Sequence, residues 1–121
     1  MNAAYNVTDM TAAQVDRAFP LVTAVDAVSD LSDWRQFCQR IIASRSEETA
    51  NEWLLVCANA LGYLKGLCLA RISQTEAGSI LDVPLYVVAT VVDEEGVQSA
   101  LRARLQMLAA TLGATVPVIP A

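Results

Sequence analysis

The sequence has no histidine and a single lysine, Lys65, among its 121 residues. Without histidine there is no Ser-His or Cys-His activation of a nucleophile, no imidazole general base and none of the commonest zinc ligand. Lysine and arginine together number 8 against 13 acids, a net charge of −5, so no surface for nucleic-acid phosphates is expected. Charged residues make up only 17 % of the chain and apolar residues 55 %, which excludes disorder. The length suits one domain with one continuous core.

Long apolar runs are also missing. The longest, Val83 to Val92, is about half a membrane span and is broken by Pro84 and Thr90. The first ten residues have neither a basic nor an apolar region of the kind that starts a signal peptide. No membrane partner and no metal are expected. Cys38, Cys57 and Cys68 cannot all pair with one another and form no C-x-x-C spacing, so they read as small buried hydrophobes in a reducing cytoplasm.

What the sequence does contain is clear periodicity. Residues 3 to 9 read as a short strand around Tyr5 and Val7. Thr11 opens a helix with Gln14 in capping-box spacing. Val15, Ala18, Phe19, Val22 and Val25 line that helix, and Pro20 is expected to kink or interrupt it. Asp30 or Ser32 caps a second helix whose buried stripe is Trp34, Phe37, Cys38, Ile41 and Ile42.

After Asn51 the period changes. Two apolar runs flank Asn59-Ala60-Leu61-Gly62 as a hairpin. A tight register puts Trp53, Leu55, Cys57, Leu64, Gly66 and Cys68 on one face, and Leu54, Val56, Leu67 and Leu69 on the other. With both faces apolar, the hairpin is either covered on both sides or part of an interface. Ser79 to Val92 reads as a third long strand in which Pro84 marks a bulge or an unpaired N–H. Asp93-Glu94-Glu95 opens the longest helix, with Val97, Ala100, Leu101, Leu105, Leu108 and Leu112 inward and Gly113 as its stop. Thr115 to Ile119 is a last strand, placed at an edge by Pro117 and Pro120. The order is β-α-α-β-β-β-α-β, an α+β fold with a mixed, mainly antiparallel sheet.

That order, with particular residues, resembles the GNAT (N-acetyltransferase) superfamily. The stretch Trp53 to Arg71 is similar to the family's second and third strands, including Gly66 in a Gly-Tyr-x-x-Gly phrase. Leu85 to Val92 followed by Gly96 to Leu105 is similar to the fourth strand and third helix, and Ala109 to Ala114 to that helix's ending. The resemblance implies acetyl-CoA as co-substrate and an amine as acceptor. It implies a cofactor site at Val91, Val92, Gly96, Val97, Gln98 and Ser99, where the family reads Arg/Gln-x-x-Gly-x-Gly/Ala and holds pyrophosphate on backbone N–H groups.

The sequence departs from that pattern. Asp93 falls where Arg or Gln is expected and Gln98 where the last Gly or Ala is expected. Asp93, Glu94 and Glu95 also suit a helix cap and a complemented dipole. A full family member continues beyond the fifth strand with a helix and two strands, often with a tyrosine that protonates the leaving thiolate. Tyr5, Tyr63 and Tyr86 do not match that position. Asp82, on the fourth strand, is the candidate general base, whereas Glu52 and Glu76 read as solvated acids.

Three functions fit this reading. One is an acyltransferase passing an acetyl group from acetyl-CoA to an amine. Another is a catalytically inactive scaffold of the same fold acting in assembly or regulation. The third is an unrelated α+β ligand-binding domain. A homodimer is expected, because the last strand and the two-sided hairpin offer apolar surface.

Overall fold

The computed structural model describes residues 4–25, 27–47, 50–90 and 92–115. Four strands, β1 (Tyr5–Asp9), β2 (Glu52–Asn59), β3 (Leu64–Thr75) and β4 (Gly78–Val88), pair in sequence order, each antiparallel to the next. The expected hairpin is β2–β3. Asn59 closes it by accepting, on Oδ1, the N–H groups of Leu61 and Tyr63 at 3.0 Å each. Gly62 turns the chain with φ 86°, in the left-handed region that costs glycine little.

Alternation along the hairpin builds two cores. Leu54, Val56, Leu67 and Leu69 face the helices α1 (Val15–Thr23) and α2 (Leu31–Ser44). Trp53, Leu55, Cys57, Cys68 and Ala70 face the helix α3 (Glu94–Leu112). Both faces of the paired strands are therefore covered within the chain, and the apolar side chains the hairpin leaves exposed are Leu61 and Tyr63 at its turn. Leu64 departs from the expected register. A shift between Cys57 and Ala58 sets Leu64 opposite Ala58, so Leu64 packs with the α1–α2 core and not beside Gly66 and Cys68.

The helical layer forms as its caps and stripes dictate. Gln14 Oε1 accepts the Thr11 N–H at 2.9 Å, but this capping spacing opens a short 3-10 turn, Ala12–Gln14, before α1 begins. Pro20 lies inside α1 without ending it, and Val25 falls beyond the helix and is exposed. Asp30 is the cap of α2, accepting the Ser32 N–H at 2.8 Å. Trp34, fully buried on the α2 stripe, donates from Nε1 to the Val15 carbonyl at 2.8 Å and locks the two helices together.

Glu52 pins α2 to the sheet. Its carboxylate accepts from Arg40 of α2 at 2.7 Å and from Arg71 of β3 at 2.9 Å. The expected solvated acid is thus buried, and its two arginines, Arg40 first, hold its carboxyl below the usual range against the opposing cost of burial.

β4 is shorter than the apolar run that encodes it. It ends at Val88, opposite Gly66, and one more bond follows, from Ala89 N–H to the Lys65 carbonyl at 2.8 Å. Beyond that point β3 has turned away into the hairpin loop, so Val92 has no strand to pair with. Pro84 marks a bulge, as expected. Leu69 faces Leu85 and Arg71 faces Asp82, so two steps on β3 answer three on β4.

Thr115 continues the sheet beside the start of β4. It donates to the Ser79 carbonyl at 3.1 Å and accepts the Leu81 N–H at 2.8 Å, in a parallel bridge to Ile80. The rest of the expected last strand, with Pro117 and Pro120, lies outside the described residues.

Candidate functional site

The termini of several elements meet at one end of the sheet. β4 finishes there, α3 begins there, and β1 starts alongside. Asp93 is the cap of α3: its Oδ1 accepts the Gly96 N–H at 3.2 Å, and its carbonyl accepts the Val97 N–H at 3.2 Å. The carboxylate's other oxygen accepts from the Tyr5 hydroxyl at 2.8 Å. That bond raises the Tyr5 phenol above its ordinary range, chiefly because ionisation would lose the donated hydrogen bond, with desolvation and the Asp93 charge adding to the rise.

Glycine at 96 leaves room for this carboxylate, which any larger residue would push aside. A Cβ there would lie 2.5 Å from Asp93 Oδ2. Gly66 has a different task. A Cβ on it would lie 2.9 Å from both the Val87 carbonyl and Val97 Cγ1, so its absence lets α3 settle directly on β3.

A cleft of about 250 Å³ runs between the end of β4 and the first turns of α3, lined by Val25, Tyr86, Val87, Val88, Glu94 and Gln98. The Tyr86 hydroxyl is buried with no hydrogen-bond partner among the described residues. Burial raises its phenol, and the Arg102 guanidinium nearby opposes the rise. A second, mostly apolar groove of about 560 Å³ lies on the other side of α3, against Ala4 and Tyr5.

Asp82 sits elsewhere. It stands next to the β4 bulge on the face that carries α1 and α2, half-buried, opposite Arg71 and accepting from Ser73 Oγ at 2.9 Å. Glu52, Arg71 and Asp82 form a cross-strand row of alternating charge on that face. The thiols line neither place, although Cys68 is the cross-strand neighbour of Tyr86. Cys38, Cys57 and Cys68 are free and buried, and burial pushes them up to about 12, 11 and 12 respectively.

No family model and no curated protein matches the sequence. Solved structures do match. A GNAT family acetyltransferase from Staphylococcus aureus superposes with a TM-score of 0.75 at 10 % identity, over 97 % of this chain and 88 % of that one. Glucosamine-6-phosphate N-acetyltransferase from Arabidopsis thaliana gives 0.73 at 10 % identity, over 97 % and 82 %. An aminoglycoside N-acetyltransferase in complex with CoA gives 0.75 at 12 % identity, over 99 % and 80 %. The fold is that of the GNAT acetyltransferases.

On this GNAT fold the residues expected around a cofactor separate. Gln98 lines the β4–α3 cleft. Gly96 and Val97 have their N–H groups committed to Asp93, and the Val97 side chain is fully buried beneath Gly66. Val92 is exposed on the loop, and Ser99 is exposed on the outer surface of α3. Val91 lies outside the described residues. Tyr5 was missed as part of this site, because nothing in a sequence marks a hydrogen bond to a residue 88 positions away.

Proposed function

We propose that the chain is an acyltransferase-type protein that takes acetyl-CoA in the β4–α3 cleft and passes the acetyl group to an amine. The observation that carries this reading is the cleft itself, set between the β4 strand end and the α3 start in a fold shared with acetyltransferases almost end to end. The thioester arm would lie along Tyr86 to Val88, with Gln98 beside it. Asp82 lies outside this cleft, beside the β4 bulge and four residues back from Tyr86, and would take the proton of the acceptor ammonium only through intervening water. The free amine would then attack the thioester carbonyl, and the C–S bond would break to release CoA. Holding donor and acceptor together supplies most of the rate in such a reaction. Three free, buried thiols support a cytoplasmic location.

A second reading, an inactive scaffold with this fold, is favoured by one specific observation. The α3 N-terminus, which would otherwise attract a pyrophosphate, already holds the Asp93 carboxylate, with Glu94 and Glu95 exposed beside it. Calorimetric titration of acetyl-CoA and desulfo-CoA into the purified protein separates the two. Saturable binding of either supports the acyltransferase, and no heat at millimolar ligand supports the scaffold.

A further inference from the structure

β4 is an edge strand of the described sheet, bridged by Thr115 only near its start. The β4–α3 cleft wraps that edge where the strand ends. Val87 packs with the α1–α2 core, whereas Tyr86 and Val88 pack with the α3 core, so the cleft reaches both faces of the sheet. Val25, 50 % exposed just past α1, reaches it from one side, and Glu94 and Gln98 of α3 reach it from the other.

The charge of this lining has one sign. Glu94 and Gln98 stand four residues apart and so share one face of α3. Neither side chain makes a hydrogen bond or an ion pair among the described residues. No lysine or arginine lines the cleft. Arg102, near the Tyr86 phenol, lines a separate groove along α3 with Glu95. The helix dipole accounts for an acid in the first turn, but it accounts equally for Glu95, which does not line the cleft.

A ligand suited to these walls is positive at one end and apolar beyond it. A primary ammonium offers three donors and no acceptor, and an alkyl amine with an ordinary pKa of about 10 is charged at neutral pH. Its donors meet the Glu94 carboxylate and the Gln98 amide oxygen, and its apolar body meets Val25 and Val88. A sugar amine would instead set its hydroxyls against valine side chains. The cleft's 250 Å³ falls below the roughly 300–1,000 Å³ of a pocket that takes a whole drug-sized ligand, so it holds reacting ends and not the bulk of a molecule. We infer that the cleft recognises an alkyl- or aryl-ammonium, with Glu94 as its counter-ion. This rests on the acyltransferase reading and deepens it by naming the acceptor as a primary amine on an apolar body.

Binding is measured first without acetyl-CoA, at low salt, through the amide NMR signals of Val87, Val88 and Gln98. 2-Phenylethylamine should saturate these shifts. 2-Phenylethanol, the same body without the charge, and ethanolamine, the charge without the body, should each bind about tenfold more weakly or worse. Glu94→Gln should lower the amine to the affinity of the alcohol, whereas Glu95→Gln should change it less than about twofold. Both acids are exposed and both lie in the first turn of α3, so the pair of variants cancels any effect through the dipole. Equal affinity for 2-phenylethylamine and 2-phenylethanol, equal losses in the two variants, or shifts centred elsewhere overturn the inference. Adding acetyl-CoA then separates it from the reading beneath it. Amine bound with no N-acetyl product overturns the acyltransferase and leaves the ammonium site standing. Acetylation indifferent to Glu94→Gln overturns the site and leaves the acyltransferase standing.

Discussion

The Tyr5 hydroxyl donates to the Asp93 carboxylate at 2.8 Å and so fastens the first strand to the start of the last helix. The same carboxylate caps α3 through the Gly96 N–H. One acid therefore serves as a helix cap, as a tie between distant parts of the chain, and as an anion already resident where an external one would dock.

Removing the cap should be measurable. Asp93→Ala is expected to cost about 0.5–2 kcal/mol, read from urea or thermal unfolding. Tyr5→Phe should lower stability as well, and its effect should depend on pH. The folded-state pKa of Tyr5 lies above its ordinary value of 10.0. The bond's contribution is therefore full below pH 10.0 and is lost as pH rises through the folded value. Wild type and Tyr5→Phe should converge in strongly alkaline solution and differ at neutral pH.

Replacing the resident anion should open the site. Asp93→Arg with Glu95→Gly removes two acids and adds a cation beside α3's first N–H groups. CoA should bind this variant more tightly than the parent by calorimetry. Equal affinity before and after would show that these acids are not what governs access.

Two core substitutions test how α3 sits on the sheet. Gly66→Ala pushes a methyl to 2.9 Å from Val97 Cγ1 and the Val87 carbonyl, and should destabilise by about 1–3 kcal/mol through overpacking. Leu105→Ala, at a fully buried position, should cost about 2–5 kcal/mol through the cavity it leaves. A stable Leu105→Ala protein would contradict the core assigned to that face.

Glu52 should shape the acid limb of the stability curve. Its folded pKa is lowered below the ordinary value of 4.5, so its contribution is present above about that pH and is lost as pH falls through the lower, folded value. Glu52→Gln, which leaves Arg40 and Arg71 facing an uncharged amide, should cost about 1.5–3 kcal/mol at neutral pH. The loss should shrink in acid.

Local chemistry made much of this fold legible in the sequence. Asp30, Asp93 and Gly113 mark helix ends because capping depends on neighbours within a few residues. Strict alternation gave the β2–β3 register, and Pro84 gave the β4 bulge. The misses share a different cause. Leu64 changed faces because one irregularity in pairing reverses every side chain beyond it. β4 stopped at Val88 because its partner ended, although its own residues favour a strand as far as Val92. Val97 matched a family loop by position, yet its side chain belongs to the core against Gly66. The Tyr5–Asp93 bond joins residues that only the finished fold brings together.

The sequential order of the sheet has a kinetic consequence. β2, β3 and β4 are joined by residues 60–63 and 76–77, so each pairing closes a short loop. β1 must instead cross residues 10–51, the whole helical layer, before it can pair with β2. Closing that span costs about 2 kcal/mol more in chain entropy than closing the hairpin. The three-strand meander should therefore form first, and β1 should be the last strand to arrive and the first to exchange its amide hydrogens. Each departure of β1 would carry Tyr5 away with it and leave the Asp93 carboxylate held only by its own helix.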